Sequence, residues 1–287
     1  MQGAGILAGV VSSALGGMAA AVTRSVISAS DPVTLSVFRF GLGFLILLPV
    51  AIVMRSRWPR GRDWIGVAAL GVMFYGVFFV VYAEALVYTT AARGSLAVST
   101  LPVLTMIVAA ALGREAFTLR KTIGVLVAMG GVAMALAAGL SDAPPEAWRG
   151  DLIMTAGMLS MALYNVLSRP FMQRSSPLGY ACAGMAFGSG LNLILAWQGG
   201  GLEAVRFFGP AQWAAGLYLG AFAGALGFYL WVFALERATP TRVANTITVS
   251  PIAAALGGAL LIGEPIGLSL LLGICAVALG IWISASR

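Results

Sequence analysis

The chain has 287 residues, of which 60% are hydrophobic and 9% are charged, and its mean hydropathy is +0.96. This composition is too apolar for an ordinary water-soluble domain and predicts a protein of the lipid bilayer. The net charge of +7 would favour nucleic-acid binding in a soluble protein. Here the charges fall in short segments between apolar runs, so we interpret them as topology signals.

Apolar runs close to membrane length follow one another along the whole sequence. They predict spans at residues 5–23, 33–54, 64–82, 94–112, 119–140, 151–168, 178–197, 211–235, 242–262 and 265–284. Because a spanning helix needs about 20 residues, these runs leave no room for a separate soluble domain. We therefore predict an all-α integral membrane protein with ten transmembrane helices.

The seventeen basic residues are distributed unevenly between the predicted loops. If the amino terminus is cytoplasmic, twelve lie on the inner side, four lie on the outer side and Arg39 lies within the second span. This positive-inside bias predicts a multi-pass protein of the bacterial inner membrane with both termini in the cytoplasm. All seven tryptophans fall in loops or towards predicted helix ends, as in an aromatic belt.

The residue inventory excludes several kinds of catalytic chemistry. The chain has no histidine, and its two cysteines lie inside apolar runs, which excludes histidine–metal, serine–histidine and cysteine–histidine sites. Its single lysine, Lys121, is not part of a Gly-Lys-Ser/Thr sequence, so the chain carries no P-loop. We predict no enzyme activity, no cofactor and no metal site.

The two halves of the chain share residues at a constant spacing, which indicates a duplicated fold. Four residues recur 149 positions later, namely Arg93, Pro102, Glu115 and Gly124 as Arg242, Pro251, Glu264 and Gly273. Each half holds five predicted spans, an odd number, so the halves enter the membrane in opposite senses. We predict two inverted five-helix repeats, residues 1–142 and 143–287, an arrangement more typical of carriers than of enzymes.

The repeated sequences resemble a known family. The segment Leu101-Pro102-Val103 … Leu112-Gly113-Arg114-Glu115 and its counterpart Ser250-Pro251-Ile252 … Gly263-Glu264-Pro265 are similar to the EamA repeat of the drug/metabolite transporter superfamily. Arg39 matches the arginine usual in the second helix of that repeat, whereas Gly184 or Met185 stands at this place in the second half. In its length, its ten predicted helices and its aromatic-rich third helix, the chain is similar to the YddG type of amino-acid exporter.

This resemblance implies a secondary transporter that exports amino acids, aromatic ones included, by alternating access. Its partners would be a small-molecule substrate and the lipid bilayer, with no role for nucleic acid. A carrier for another small metabolite or drug of the same superfamily is the alternative. A channel would need a continuous polar stripe, and an intramembrane enzyme would need an acid, base or metal set near the midplane; the predicted spans carry neither.

Prolines fall near the middle of the fourth and ninth predicted spans, at Pro102 and Pro251. Proline removes a backbone donor and frees carbonyl groups that lipid cannot satisfy. Corresponding helix breaks in two halves are a pointer to a substrate site. Ser99, Asn245 and Thr248 lie beside these prolines and are therefore candidate substrate ligands. A kink that shapes the helix without touching a ligand is the alternative.

Tyr75, Phe79 and Tyr82 lie at helical spacing on one face of the third span. Such a stripe would receive an apolar substrate side chain, and Tyr164 and Asn165 in the sixth span would add polar contacts. The alternative is that these residues have structural roles: the aromatic stripe would pack against other helices or lipid, and Tyr164 and Asn165 would bridge helices. No Asp or Glu lies near the middle of any predicted span, which disfavours a proton-coupled exporter of cations.

The eighth span carries small and aromatic residues on opposite faces. Its small-xxx-small face of Gly216, Gly220 and Gly224 suits close helix packing. Tyr218, Phe222 and Tyr229 lie on the other face. If the glycines pack inside the bundle, this aromatic face points towards lipid.

Three charged residues are candidates for a gate or a structural role. Arg39 lies about six residues into its apolar run, where a cation is costly unless it meets water, a carboxylate or carbonyl groups. It is interpreted as a structural or gate residue, with snorkelling to the outer surface and binding of an anionic substrate group as the alternatives. Glu84 and Arg93 near the outer ends of the third and fourth spans form a candidate gate pair, with a solvated loop pair as the alternative.

Overall fold

A computed structural model describes residues 2–26, 31–88, 91–136, 145–262 and 268–285. Within these ranges the regular structure is helical, without a strand. We label the helices in chain order and carry each label through the irregular turns inside it. The longer helices are α1 Gln2–Val26, α2 Pro32–Val53, α3 63–88, α4 91–111, α5 Leu119–Ala135, α6 Ala147–Leu167, α7 Pro177–Gln198, α8 Pro210–Arg237, α9 240–262 and α10 Leu268–Ala285, and short helices cover Arg169–Arg174 and Gly201–Phe207.

Six of the described helices are long and apolar enough to cross a membrane, namely α1, α2, α3, α6, α7 and α8. Shorter apolar helices cover Leu96–Ala111 in α4 and Leu271–Ser284 in α10. Large aliphatic side chains such as Ile52, Leu126 and Leu217 are exposed on the outside of the bundle. A soluble monomer rarely exposes so much apolar surface, so these features are those of a helical membrane protein.

Two helices begin with the same kind of cap in the two halves of the chain. Asp31 precedes Pro32 at the start of α2 and accepts hydrogen bonds from the backbone N–H of Val33 and Thr34 at 2.9 and 3.0 Å. Ser176 precedes Pro177 at the start of α7 and accepts one from the N–H of Gly179 at 3.1 Å. A capping oxygen followed by proline satisfies the first orphan donors and fixes where the helix starts.

Helices of the first half pack on helices of the second half in a symmetric pattern. When two helices are in contact, the two helices five places away from them in chain order are in contact as well. α1 packs on α8 and α9, and α6 packs on α3 and α4. α2 packs on α8, and α7 packs on α3. α4 packs on α9, and α5 packs on α10, so these two pairs map onto themselves.

Glycines allow the backbones of α5 and α10 to touch. A Cβ atom at Gly131 would lie 2.8 Å from the Cβ of Ala276 and 2.9 Å from the carbonyl oxygen of Gly273. At Gly280 it would lie 2.5 Å from the carbonyl oxygen of Gly124. Small residues at such an interface permit the close approach that drives association of membrane helices.

Several helices contain irregular turns near their middle. π-helical turns occupy Val37–Leu42 in α2, Val72–Phe78 in α3 and Leu219–Leu226 in α8. α4 is interrupted at residues 99–100, and α9 contains the 3₁₀ turn Thr246–Thr248. The last two irregularities directly precede the segments that carry Pro102 and Pro251. Irregular turns of these kinds frequently mark functional sites.

Neighbouring glycines of α5 provide a matched test of the α5–α10 contact. Gly131→Ala inserts a methyl group against α10, and we expect it to destabilise the protein by about 1–3 kcal/mol. Gly130→Ala meets no atom within 4 Å, so we expect its stability to stay at or slightly above that of the wild type. Thermal unfolding of the two variants in the same detergent checks this difference, and equal melting temperatures would contradict the packing described.

Candidate functional site

Aromatic side chains of α2, α3 and α8 meet in the core of the bundle, where six of their rings pack together with one from α6. We call this group the central aromatic cluster; it consists of Phe40, Phe74, Tyr75, Phe79, Tyr164, Phe228 and the neighbouring Phe78. Phe40 and Phe79 have ring centroids 4.6 Å apart, and Phe74 stacks on Tyr164 at 4.2 Å. The cluster therefore joins helices from both halves of the chain.

Close approach of α8 to α2 fixes one side of this cluster. A Cβ atom at Gly224 would collide with the carbonyl oxygen of Arg39, and one at Gly220 would lie 2.6 Å from the side chain of Leu42. The glycine face of α8 thus packs against α2 inside the bundle. Phe222 on the other face is 50% exposed and stacks on Tyr218 at 5.6 Å, so this aromatic pair borders the surface.

Arg39 lies among three rings of the cluster. Its guanidinium carbon is 4.8 Å from the centroid of Phe79, 5.4 Å from that of Phe228 and 5.7 Å from that of Phe40. The Nε atom is buried without a hydrogen-bond partner, while the side chain as a whole is half-buried. A cation within a membrane helix costs up to about 3 kcal/mol on insertion scales, and cation–π contacts offset about 0.5–2 kcal/mol of this.

Two buried polar pairs link helices beside the rings. The hydroxyl groups of Tyr75 and Tyr164 are 3.0 Å apart and share a hydrogen bond. The indole Nε1 of Trp231 donates to Oδ1 of Asn165 at 3.0 Å. Trp231 is 2% exposed, so placing it in the aromatic belt was wrong; its N–H has a partner in the core. Five tryptophans are exposed as a belt requires, namely Trp64, Trp148, Trp197, Trp213 and Trp282.

The polar residues of α9 make their contacts elsewhere. Nδ2 of Asn245 donates to Oγ of Ser284 in α10 at 2.8 Å. The hydroxyl of Thr248 donates to the backbone carbonyl of Asn245 at 2.7 Å, and that of Thr246 donates to the carbonyl of Val243 at the same distance. These bonds connect α9 with itself and with α10, and they satisfy carbonyl groups in the irregular turn before Pro251.

The remaining predicted residues lie around the interruption of α4 and the end of α3. Ser99 and Pro102 are buried, the first in the interruption and the second in the first turn of Leu101–Ala111. Tyr82 packs at the edge of the cluster, with its ring 6.2 Å from that of Phe78. Glu84 is exposed. The side chain of Arg93 lies outside what the structure describes, so the proposed Glu84–Arg93 pair stays a prediction.

Sequence reasoning missed several rings that build the site. Phe40, Phe74, Phe228 and Tyr180 are buried at the centre with the predicted aromatics. A helical wheel drawn at 3.6 residues per turn misplaces residues beyond a π-helical turn, because the extra residue changes the angular step. Phe228 follows such a turn in α8, and no signal in the sequence locates the turn itself.

Several polar groups at the junction of α6 and α7 are buried without a hydrogen-bond partner. They are Nδ2 of Asn165, Oγ of Ser168 and the hydroxyl of Tyr180. Buried polar groups normally find protein or water partners, so each such group requires an explanation. They lie on the side of the cluster where α6 ends and α7 begins.

The described residues also line cavities. One of about 690 Å³ lies between α2, α7 and α8 and is lined by apolar side chains and glycines, apart from Ser189 and the Trp213 indole. None of the predicted site residues lines it. Another, of about 310 Å³, contains Arg114, Arg169 and Gln173 beside the end of α6 and the start of α9.

Comparison with known proteins identifies the family. The sequence pattern of the EamA-like transporter family matches residues 3–137 and again residues 148–286. The chain belongs to this family. Family membership makes it a membrane transporter, and it agrees with the apolar helices described above.

Individual relatives cover most of the chain. A protein of Pseudomonas aeruginosa named as uncharacterized protein PA1977 is 32% identical over 83% of this chain and 79% of its own length. A probable terminal-alkyne amino-acid exporter of Streptantibioticus cattleyicolor is 28% identical over 76% of this chain and 72% of its own. One solved crystal structure has the same fold, with a TM-score of 0.80 at 19% identity over 99% of this chain and 98% of the other.

A substitution at Gly224 tests the α2–α8 contact that holds Arg39. We expect Gly224→Ala to separate the two helices, to destabilise the protein by about 1–3 kcal/mol and to reduce transport, because the added methyl group collides with the backbone of α2. Gly190→Ala in α7 is the matched control, since nothing lies within 4 Å of a Cβ atom there. Unfolding and transport are measured on both variants; a Gly224→Ala protein that behaves like Gly190→Ala would contradict this geometry.

Proposed function

We propose that this EamA-family transporter exports amino acids, aromatic ones among them, across the bacterial inner membrane by alternating access. The central aromatic cluster with its embedded Arg39 is the observation that carries the proposal. Aromatic faces suit an apolar substrate side chain, and the cation, hydroxyl groups and amides beside them suit its charged ends. The relative named as a probable terminal-alkyne amino-acid exporter supports the same substrate class.

The architecture that we propose for this transport has ten membrane-spanning helices in two inverted repeats, residues 1–142 and 143–287. Two family matches of similar length support this division. The exchange of packing partners between α1–α5 and α6–α10 supports a two-fold relation between the halves. With five helices in each half and the positive-inside bias of the loops, both termini would lie in the cytoplasm.

The substrate would bind where the two halves meet. Tyr75, Phe79 and Tyr82 of α3 would contact its side chain, and Tyr164 and Asn165 of α6 would contact its polar groups. Ser99 lies at the interruption of α4, and Asn245 and Thr248 lie at the irregular turn of α9, where backbone groups leave the regular helical pattern. Pro102 and Pro251 would keep these two turns irregular in both conformations of the carrier.

Alternating access would require the rings of the cluster to separate. In the described arrangement the rings contact one another, with Phe74 on Tyr164 and Phe40 on Phe79. The unpartnered groups of Asn165, Ser168 and Tyr180 would gain water when the junction of α6 and α7 opens towards the cytoplasm. This gain would favour the inward-open conformation and offset the loss of ring contacts.

Counterflow in proteoliposomes tests this function. Vesicles preloaded with a mixed amino-acid pool should take up labelled phenylalanine and leucine. This uptake should survive collapse of the proton gradient, because the predicted spans carry no carboxylate near their middle that could couple protons to transport. Phe79→Ala should raise the half-saturating phenylalanine concentration at least about tenfold, since it removes a ring from the cluster. Phe222→Ala removes an exposed ring of α8 and should leave it unchanged.

Absence of counterflow for every amino acid by a folded protein would contradict the proposal and favour another small metabolite as substrate. Equal effects of Phe79→Ala and Phe222→Ala would place the substrate away from the central aromatic cluster.

A further inference from the structure

Arg39 carries a charge that no carboxylate of the described residues balances. The ion pairs among the described residues have Lys121, Arg149, Arg174 and Arg237 as their cations. Their respective partners are Glu115, Glu146, Asp63 and Glu236, and none of these pairs includes Arg39. Its Nε–H group is buried and donates to no acceptor. An unpaired guanidinium inside a membrane protein calls for a ligand.

The surroundings of Arg39 contact its π face and leave its buried Nε–H without an acceptor. Rings of Phe40, Phe79 and Phe228 lie within 5.7 Å of the guanidinium carbon. Aromatic rings attract a cation but offer no oxygen that accepts an N–H. Guanidinium has five N–H donors in a planar fork that matches a carboxylate bidentately. The unused edge of Arg39 therefore fits a carboxylate.

Arg39 is held at its depth in the membrane. It is the eighth residue of α2, which places it roughly 10 Å along the helix axis from the first residue. The backbone at Arg39 contacts Gly224 of α8, and the three rings surround the head of the side chain. These contacts oppose extension of the side chain towards the membrane surface, which is the usual way for arginine to reach water.

The second half of the chain has no matching cation. Gly184 or Met185 stands at the corresponding place in α7. A Cβ atom at Gly184 would lie 3.0 Å from the ring of Tyr75, so that ring occupies the space that a side chain would need. Among the described residues, Arg39 is therefore the cation that lies within the central aromatic cluster, next to rings contributed by both halves.

We infer that Arg39 binds the carboxylate of the transported substrate, with the substrate's apolar side chain against Phe79 and Phe228. This inference rests on the proposed function, which it deepens by assigning the group that recognises the acid. It restricts the substrates to molecules that combine one carboxylate with an apolar body. An amide or amine that lacks the carboxylate would bind weakly.

Ligand-dependent thermal stability of the purified full-length protein in nanodiscs tests this assignment. The probes are phenylacetate, which has a ring and a carboxylate, and phenylacetamide, which has the same ring and an uncharged amide. A ligand that binds the folded state raises the melting temperature in a concentration-dependent way. The proteins compared are the wild type, Arg39→Gln, Arg39→Lys and the control Arg206→Gln, which removes an exposed arginine and so matches the change in net charge.

We expect phenylacetate to stabilise the wild type and Arg206→Gln equally, and phenylacetamide to have little effect on any variant. Arg39→Gln should need at least about a 30-fold higher phenylacetate concentration for half of the shift, because a buried charge pair is lost. Arg39→Lys should lie between them, since lysine keeps the charge but not the planar fork. The lysine variant also decides the question if the glutamine variant does not fold.

The inference is overturned if both Arg39 variants respond to phenylacetate like the wild type, or if phenylacetate stabilises the wild type no better than phenylacetamide. This result is separate from counterflow, which uses amino acids. Counterflow of phenylalanine with an unchanged phenylacetate response in the variants would keep the exporter proposal and remove the role of Arg39. Arg39-dependent phenylacetate binding without amino-acid counterflow would keep the carboxylate site and remove the amino-acid substrate.

Discussion

The contact between α8 and the backbone of α2 at Arg39 determines how the centre of this protein is built. Because Gly224 has no side chain, the two helices meet backbone to backbone, and both are in π-helical turns where they meet. The turns direct Phe40 and Phe228 towards Phe79 and hold the guanidinium of Arg39 between the three rings. The aromatic cluster, the position of Arg39 within it and the proposed substrate site all depend on this approach.

Two kinds of interface divide the bundle. α5 and α10 meet through glycines with no room for a methyl group, which favours a rigid pair. The centre is held by rings and by a few hydrogen bonds such as Tyr75–Tyr164 and Trp231–Asn165, and it also contains polar groups without partners. An interface of this kind can rearrange at lower cost, because opening it supplies the partners that the closed arrangement lacks.

Much of the architecture could be predicted from the sequence because it depends on composition and on spacing. Apolar runs predicted helices where the described helices lie, and the repeated prolines Pro102 and Pro251 lie just after the irregular turns of α4 and α9. The glycine face of α8 correctly indicated close packing, because small residues at four-residue spacing act through backbone geometry alone. The family resemblance rested on these same repeated segments and agrees with the family match.

The centre of the site could not be predicted in the same way, because π-helical turns leave no mark in residue spacing. Phe228 and Trp231 follow the turn in α8, so a regular wheel did not bring them to Arg39 and Asn165. The hydrogen-bond partner of Asn245 could not be predicted from the sequence either. A buried asparagine can face a substrate or bridge helices, and only the position of Ser284 in α10 gives it a partner at 2.8 Å.

The most direct test of this account is an experimental structure of the protein in nanodiscs with bound phenylalanine. We expect ligand density between α2, α3 and α8, with the carboxylate within hydrogen-bond distance of the Arg39 guanidinium and the ring beside Phe79. Density at another place, with Arg39 still enclosed by its three rings and without an anion, would contradict it.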